Sequence, residues 1–108
     1  VRRLAQRGCD VRVFPTKRGR ISIRRVLRWL GSMRITNVLV EGGAEVLGSF
    51  FDAGQVDEVL AFVGPKIIGA GKPPVLGKGV TCIADALRLV SLTPTRLGDS
   101  ILLRGRIR

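Results

Sequence analysis

The stretch Val38-Leu-Val-Glu-Gly-Gly-Ala-Glu-Val-Leu-Gly-Ser-Phe-Phe51 constrains the fold of this chain more than any other. An apolar run stops on one carboxylate and two glycines, and helical spacing begins beyond them. Val46, Leu47, Phe50 and Phe51 fall at i, i+1, i+4 and i+5, one face of a helix. The pattern predicts a strand over residues 37–41, a glycine turn, and a helix over 44–53 with Gly54 as its C-cap. Such an arrangement can hold an anion. The first helical turn points backbone N–H groups outward, the helix dipole adds partial positive charge, and glycine admits a ligand without a Cβ in the way. A Gly-Gly pair equally marks a plain tight turn, and the stretch is not the G-x-G-x-x-G dinucleotide fingerprint.

The flanking sequence continues the alternation of strand and helix. Residues 1–7 read as a helix tail closed at Gly8, 11–14 as a short strand stopped by Pro15, and 16–20 as a basic loop. Ser22 suits the N-cap of a helix over 23–34, with Ile23, Val26, Leu27, Leu30 and Met33 on one face and Trp29 packing beside them. Gly31 weakens that helix near its end. Residues 56–63 follow as a strand whose near-continuous apolar character suits a buried parallel position. Residues 66–79, with Gly69, Gly71, Gly77, Gly79, Pro73 and Pro74, read as a long loop. Residues 83–87 read as a helical turn, and 88–97 with 100–108 as a hairpin joined at Gly98-Asp99, where Pro94 calls for an edge strand or a bulge. The fold class is α/β: a parallel βαβαβ core with right-handed crossovers and a C-terminal antiparallel hairpin. An unpaired edge on the first three strands calls for further N-terminal sequence or a dimer.

Composition narrows the function classes. At 108 residues the chain is one domain at most, and 45% hydrophobic content with clear periodicity suits a soluble globular protein. No apolar run approaches the roughly 20 residues of a membrane span, and no signal-peptide pattern opens the chain. It starts at Val1 rather than Met, within amphipathic sequence, so the expectation is a piece of a longer protein. Cys9 and Cys82 lie far apart without metal spacing; buried free thiols in a reducing cytoplasm account for them better than a disulfide. Histidine is absent, which excludes Ser-His triads, imidazole acid–base work and His-dependent metal sites from this segment; no metal is expected. The net charge of +11 is concentrated at the front: residues 1–34 hold eleven basic groups against Asp10 alone, and the remainder holds eight basic and seven acidic groups. An arginine-rich front of this kind suits nucleic acid, a phosphorylated small molecule, or solvent alone.

Taken together, the motifs are recognisable. Val38-Leu-Val-Glu-Gly-Gly-Ala-Glu-Val-Leu47, Ala53-Gly-Gln-Val-Asp-Glu58 and Val63-Gly-Pro-Lys-Ile-Ile-Gly69 follow in order, and Ala84-Asp-Ala-Leu-Arg-Leu89 and Leu97-Gly-Asp-Ser-Ile-Leu-Leu-Arg104 come near the close. From Gly19 onward the chain resembles the reductase domain of the bifunctional deaminase–reductase family of riboflavin biosynthesis, which has a dihydrofolate-reductase-like fold. The resemblance implies one partial reductase domain over residues 1–108, the C-terminal half, in a cytoplasmic protein. It implies NADPH-dependent reduction of the ribosyl group of 5-amino-6-(5-phosphoribosylamino)uracil to a ribityl chain. The hydride of such a reaction belongs to the cofactor, so the lack of histidine is no obstacle.

On the family pattern Glu41 contacts the substrate, in its sugar part, where a carboxylate accepts hydrogen bonds from hydroxyls. The same pattern places NADP on Gly43, Ala44, Glu45, Val46, Leu47, Gly48 and Ser49. Glu45 is an awkward neighbour for a phosphate and is expected to point to solvent or a ribose; Val46 and Leu47 serve a core better than a ligand. Lys17, Arg18 and Arg20 are candidates for the cofactor's 2′-phosphate. Asp57, Glu58 and Lys66 belong to the pattern without an assigned role, and no catalytic residue is named. The first strands and helices of a complete domain are missing, with much of the substrate pocket, so activity is expected only when they are present. A homodimer is compatible with the open sheet edge. Two other readings stand: a basic nucleic-acid-binding domain, against which four Phe, one Trp and no Tyr speak, and a non-catalytic remnant of the reductase.

Overall fold

The structure, a computed structural model, describes residues 2–17 and 19–108, and of Lys17 the backbone alone. The chain forms two compact units, residues 1–38 and 39–108. The first contains α1 (Arg2–Ala5), β1 (Thr16–Lys17), β2 (Arg20–Ile21) and α2 (Ile23–Ser32). The two short strands make a minimal antiparallel hairpin, Thr16 opposite Ile21 and Lys17 opposite Arg20, with Gly19 at φ +75° in its turn. The sequence reading of 16–20 as a plain loop is corrected to that extent. Ser22 is the N-cap of α2, but through its backbone: its carbonyl accepts from Val26 N–H at 3.2 Å, while its hydroxyl makes no cap bond. Ile23, Val26, Leu27 and Leu30 are half-buried along one face. Trp29 packs, as its place beside that stripe predicts. Phe14 meets it edge to face at 5.7 Å and 70°, and the Arg12 guanidinium lies 5.8 Å from the ring centre.

The second unit contains α3 (Ala44–Asp52), β3 (Glu58–Val63), a 3₁₀ turn at Ile83–Asp85, β4 (Leu89–Leu97) and β5 (Ser100–Ile107). Its sheet runs β3-β5-β4, antiparallel throughout, with Glu58 opposite Arg106 and Val63 opposite Ile101. The β4–β5 hairpin turns at Gly98-Asp99, as the sequence predicts. Pro94 sits on β4, an edge strand, and the register slips by one residue between Val90 and Thr93. Ser91 takes φ +53° in that bulge. Opposite it stands Gly105, where a Cβ would come within 3.1 Å of the Leu89 side chain and 3.2 Å of Leu92. Residues 64–82 carry no helix or strand and include the long loop expected over 66–79. Phe50 of α3 is the buried large apolar side chain among the described residues, joined in burial by Gly48 and Gly105.

Among the described residues α1, α2 and α3 end alike. The first residue past the last turn is left-handed and donates to the carbonyl three residues back, and its successor donates five back. Gly8 and Cys9 do this for α1, onto Ala5 and Leu4 at 3.0 and 3.2 Å. Gly54 and Gln55 do it for α3, onto Phe51 and Phe50 at 2.9 and 3.1 Å. For α2 the residues are Arg34 and Ile35, onto Gly31 and Leu30 at 2.9 and 3.2 Å. Arg34 therefore holds φ +62° without being glycine.

Three expectations need correction. The parallel βαβαβ core does not form within the described residues: 11–14 and 37–41 carry no strand ladder, and β3 pairs antiparallel with β5. An apolar run identifies extended chain but not its partner, and the hairpin supplies an antiparallel one. Nor is β3 buried on both faces, since Val59 and Ala61 are half-buried while Leu60 and Phe62 are exposed. The cysteines are free, as expected, but exposed: Cys9 follows the cap of α1 and Cys82 lies in the loop before the 3₁₀ turn. No helix among the described residues is long and apolar enough to cross a membrane.

Candidate functional site

Glu41, Gly42 and Gly43 lead directly into α3. Gly43 is the N-cap, with φ +67° and ψ 135°, a conformation that a side chain adopts only under strain. Its carbonyl accepts the first intrahelical bond, from Leu47 N–H at 3.0 Å. The N–H groups of Ala44, Glu45 and Val46 precede that bond and so lack a partner within the helix. Gly42 differs from Gly43. Its φ is outside the left-handed region, and a Cβ there would meet nothing within 4 Å. Neither a left-handed φ nor packing among the described residues requires glycine at 42, and the space in front of the turn is open there.

The Glu41 carboxylate is exposed, and among the described residues none donates to it. It is therefore free to accept from hydroxyls rather than being tied up by neighbouring backbone. Glu45 is exposed in the first turn, where the helix dipole favours its carboxylate, whose own charge would repel a phosphate brought against it. Val46 is exposed and Leu47 half-buried. Gly48 and Ser49 have other partners. The Ser49 hydroxyl donates to the Glu45 carbonyl at 2.8 Å, and Gly48 is buried beneath the backbone of Leu76 and Gly77, into which a methyl at that position would project. The structure thus brings Glu41 and residues 43–46 to one open end of α3, and turns Gly48 and Ser49 toward the unit's own chain. Arg20, on β2, belongs to the other unit, as does Lys17, whose side chain lies outside the described residues together with the whole of Arg18.

Sequence reasoning missed the segment that crosses α3. Leu76 N–H donates to the Ala44 carbonyl at 2.8 Å, and Lys78 N–H donates to both Asp52 carboxylate oxygens at 3.0 and 3.1 Å. One signal was available. An acid in the last turn of a helix is disfavoured by the dipole, and with no basic residue beside it a donor from elsewhere in the chain would offset that cost for Asp52. On the sheet, Arg104 donates from Nε and Nη2 to the two oxygens of Glu58 at 2.8 and 3.1 Å. This hydrogen bond is the main cause that holds the Glu58 carboxyl pKa below its ordinary value; desolvation opposes it, and the charges of Arg104 and Arg106 add to the lowering. Glu58, read from sequence without a role, is thus a cross-strand ion-pair partner. No three His, Cys, Asp or Glu residues gather as a metal would need among the described residues.

Comparison with known proteins gives this geometry a family. The model of the RibD C-terminal domain matches residues 1–103. The riboflavin biosynthesis protein RibD of Actinobacillus pleuropneumoniae is 33% identical over 98 residues, 89% of this chain and 26% of that protein. The 2,5-diamino-6-ribosylamino-4(3H)-pyrimidinone 5′-phosphate reductase of Methanothermobacter thermautotrophicus is 30% identical over 105 residues, 95% of this chain and 48% of that one. The solved structure of Acinetobacter baumannii RibD superposes with a TM-score of 0.80 at 24% identity, covering 100% of this chain and 29% of the other. That likeness establishes the fold, in keeping with the dihydrofolate-reductase-like α/β class read from the sequence. The chain spans about a quarter of the RibD proteins it matches and about half of the archaeal reductase. By these matches the chain belongs to the RibD C-terminal domain family.

Proposed function

We propose that this chain carries the dinucleotide-holding part of an NADPH-dependent reductase of riboflavin biosynthesis. Its substrate would be a ribosylaminopyrimidine 5′-phosphate, specifically 5-amino-6-(5-phosphoribosylamino)uracil, whose ribosyl group becomes ribityl. Family membership and the reductase activity for which the Methanothermobacter relative is named support the reaction class. The observation that carries the cofactor assignment is the open Gly42-Gly43 turn, whose left-handed N-cap Gly43 leads into first-turn N–H groups suited to a pyrophosphate.

The residues present fit the group. Ala44, Glu45 and Val46 offer backbone donors, and Glu45 turns its exposed carboxylate to solvent or to a ribose hydroxyl. NADPH, when bound, supplies the hydride. The chain's own part is to bind and orient: Glu41 accepts hydrogen bonds from the sugar hydroxyls, and the glycine turn fixes the dinucleotide against the helix end. Gly48 and Ser49 support α3 from within.

The test is consumption of NADPH in the presence of the phosphoribosylaminouracil, with formation of the ribityl product followed by chromatography, for this chain and for a version extended upstream. Turnover by the extended version, reduced about a hundredfold by Glu41→Ala, supports the reading. Product formation that ignores Glu41, or a folded extended version that never consumes NADPH, contradicts it.

A further inference from the structure

The contacts across α3 form a line. Ala44, Gly48 and Asp52 are four residues apart and share one helix face, and the segment 76–78 meets them in order. Leu76 N–H holds the Ala44 carbonyl at 2.8 Å, the backbone of Leu76 and Gly77 lies on Gly48, and Lys78 N–H is held by both Asp52 oxygens at 3.0 and 3.1 Å. Two glycines make the approach possible. Gly48 has no side chain because the strap lies there. Gly77 has none because a Cβ would stand 2.7 Å from Asp52 Oδ1. A helical side chain leans toward the N-terminus, so the Asp52 carboxylate reaches back along the helix to meet Lys78.

We infer that Asp52 is a positioning residue for the dinucleotide turn, acting through the strap 76–78. The strap has two hydrogen-bonded anchors, one at each end of α3. The front anchor is the carbonyl of Ala44, adjacent to Gly43 and in the same turn as the N–H donors of the proposed pyrophosphate site. Releasing the rear anchor frees the end of a glycine- and proline-rich loop, which carries no other regular structure to hold it. The front bond then loosens with it, and the orientation of the first-turn amides is no longer fixed. Because preorganised donors bind an anion without reordering, their loosening lowers affinity even though Asp52 touches no ligand. A carboxylate in this role must accept from Lys78 while standing at the far end of the helix from the ligand, where it does not repel a phosphate.

This inference rests on the proposed cofactor assignment, and the experiment separates the two. NADPH and NADH are titrated calorimetrically into the wild-type chain, Asp52→Ala and Asp52→Asn, with amide hydrogen exchange at Leu76 and Lys78 followed in each. The expected result has four parts. Lys78 loses protection in D52A, affinity for both nucleotides falls about tenfold by the same factor, α3 remains protected, and D52N, which retains one oxygen acceptor, recovers most of the affinity. Equal loss for the two nucleotides is the signature of a fault at the shared pyrophosphate end rather than at the 2′-phosphate. D52A that binds as tightly as wild type with Lys78 deprotected overturns the inference alone, as does retained protection of Lys78. A folded wild-type chain that binds neither nucleotide overturns the cofactor assignment and the inference with it. Should D52A fail to fold, Gly77→Ala decides: its methyl displaces the carboxylate, and unchanged nucleotide affinity in that variant overturns the inference.

Discussion

Arg34 occupies a position that glycine fills at the ends of the other two helices, and the cost of that choice can be measured. Its φ of +62° is a conformation in which a Cβ crowds the following carbonyl, at about 1–2 kcal/mol for a side chain, partly offset by the greater chain freedom that glycine loses on folding. Arg34→Gly should therefore stabilise the first unit by about 0.5–1 kcal/mol. Thermal unfolding read by the fluorescence of Trp29, the single tryptophan, checks it; an unchanged or lowered midpoint contradicts it. Sequence reading located the caps at Gly8 and Gly54 because glycine advertises them. It placed the end of α2 within two residues but could not see the αL cap, since nothing in an arginine announces it. The glycine turn ahead of α3 was legible for the same reason as the glycine caps: a short run of residue types with one physical use. Asp52 was half legible, as an acid where the helix dipole disfavours one, but its donor lies 26 residues further on.

At the scale of elements, the hairpin was legible and the sheet's direction was not. Gly98-Asp99 between two alternating segments specifies its own local pairing, and Pro94 specifies an edge. The partner of β3 is set by β5, more than 35 residues away, and an apolar strand carries no mark of its neighbour's direction. The Arg104–Glu58 pair belongs to that long-range contact. The lowered Glu58 pKa means the pair's contribution to stability is present above the ordinary glutamate range and is lost as pH falls through the depressed folded value. Wild type should accordingly lose more of its thermal midpoint than Glu58→Gln between about pH 6 and about pH 3, and parallel pH profiles would show that the pair does not contribute. The strap over α3 makes a sharper demand. Gly48→Ala places a methyl in the backbone of Leu76 and Gly77, a change that forces backbone to move, so a loss of about 1–3 kcal/mol is expected in chemical denaturation. Wild-type stability in that variant would mean the strap does not lie on the helix.

For the molecule as a whole, the family was legible because its motifs come in order and at fixed spacing, whereas no single motif specified it. The α/β class followed from the alternation of strand and helix, and the dihydrofolate-reductase-like fold from the family. The burial of this chain is thin: Phe50 is the buried large side chain among the described residues, while Phe62, Ile67 and Ile68 are exposed by 69%, 100% and 87%. Sequence periodicity assigns such residues to a core without saying which chain segment completes it. The central claim concerns the part of the site that the chain does present, the glycine turn ahead of α3. The measurement that tests it most directly is a calorimetric titration of NADPH into the wild-type chain and into Gly42→Val. Position 42 needs glycine neither for its φ nor for packing, so the variant should keep its fold and thermal midpoint. The account predicts saturable binding to wild type, weakened at least tenfold by the valine side chain standing in the approach to the turn. Equal binding by both folded proteins, or none by wild type, would contradict it.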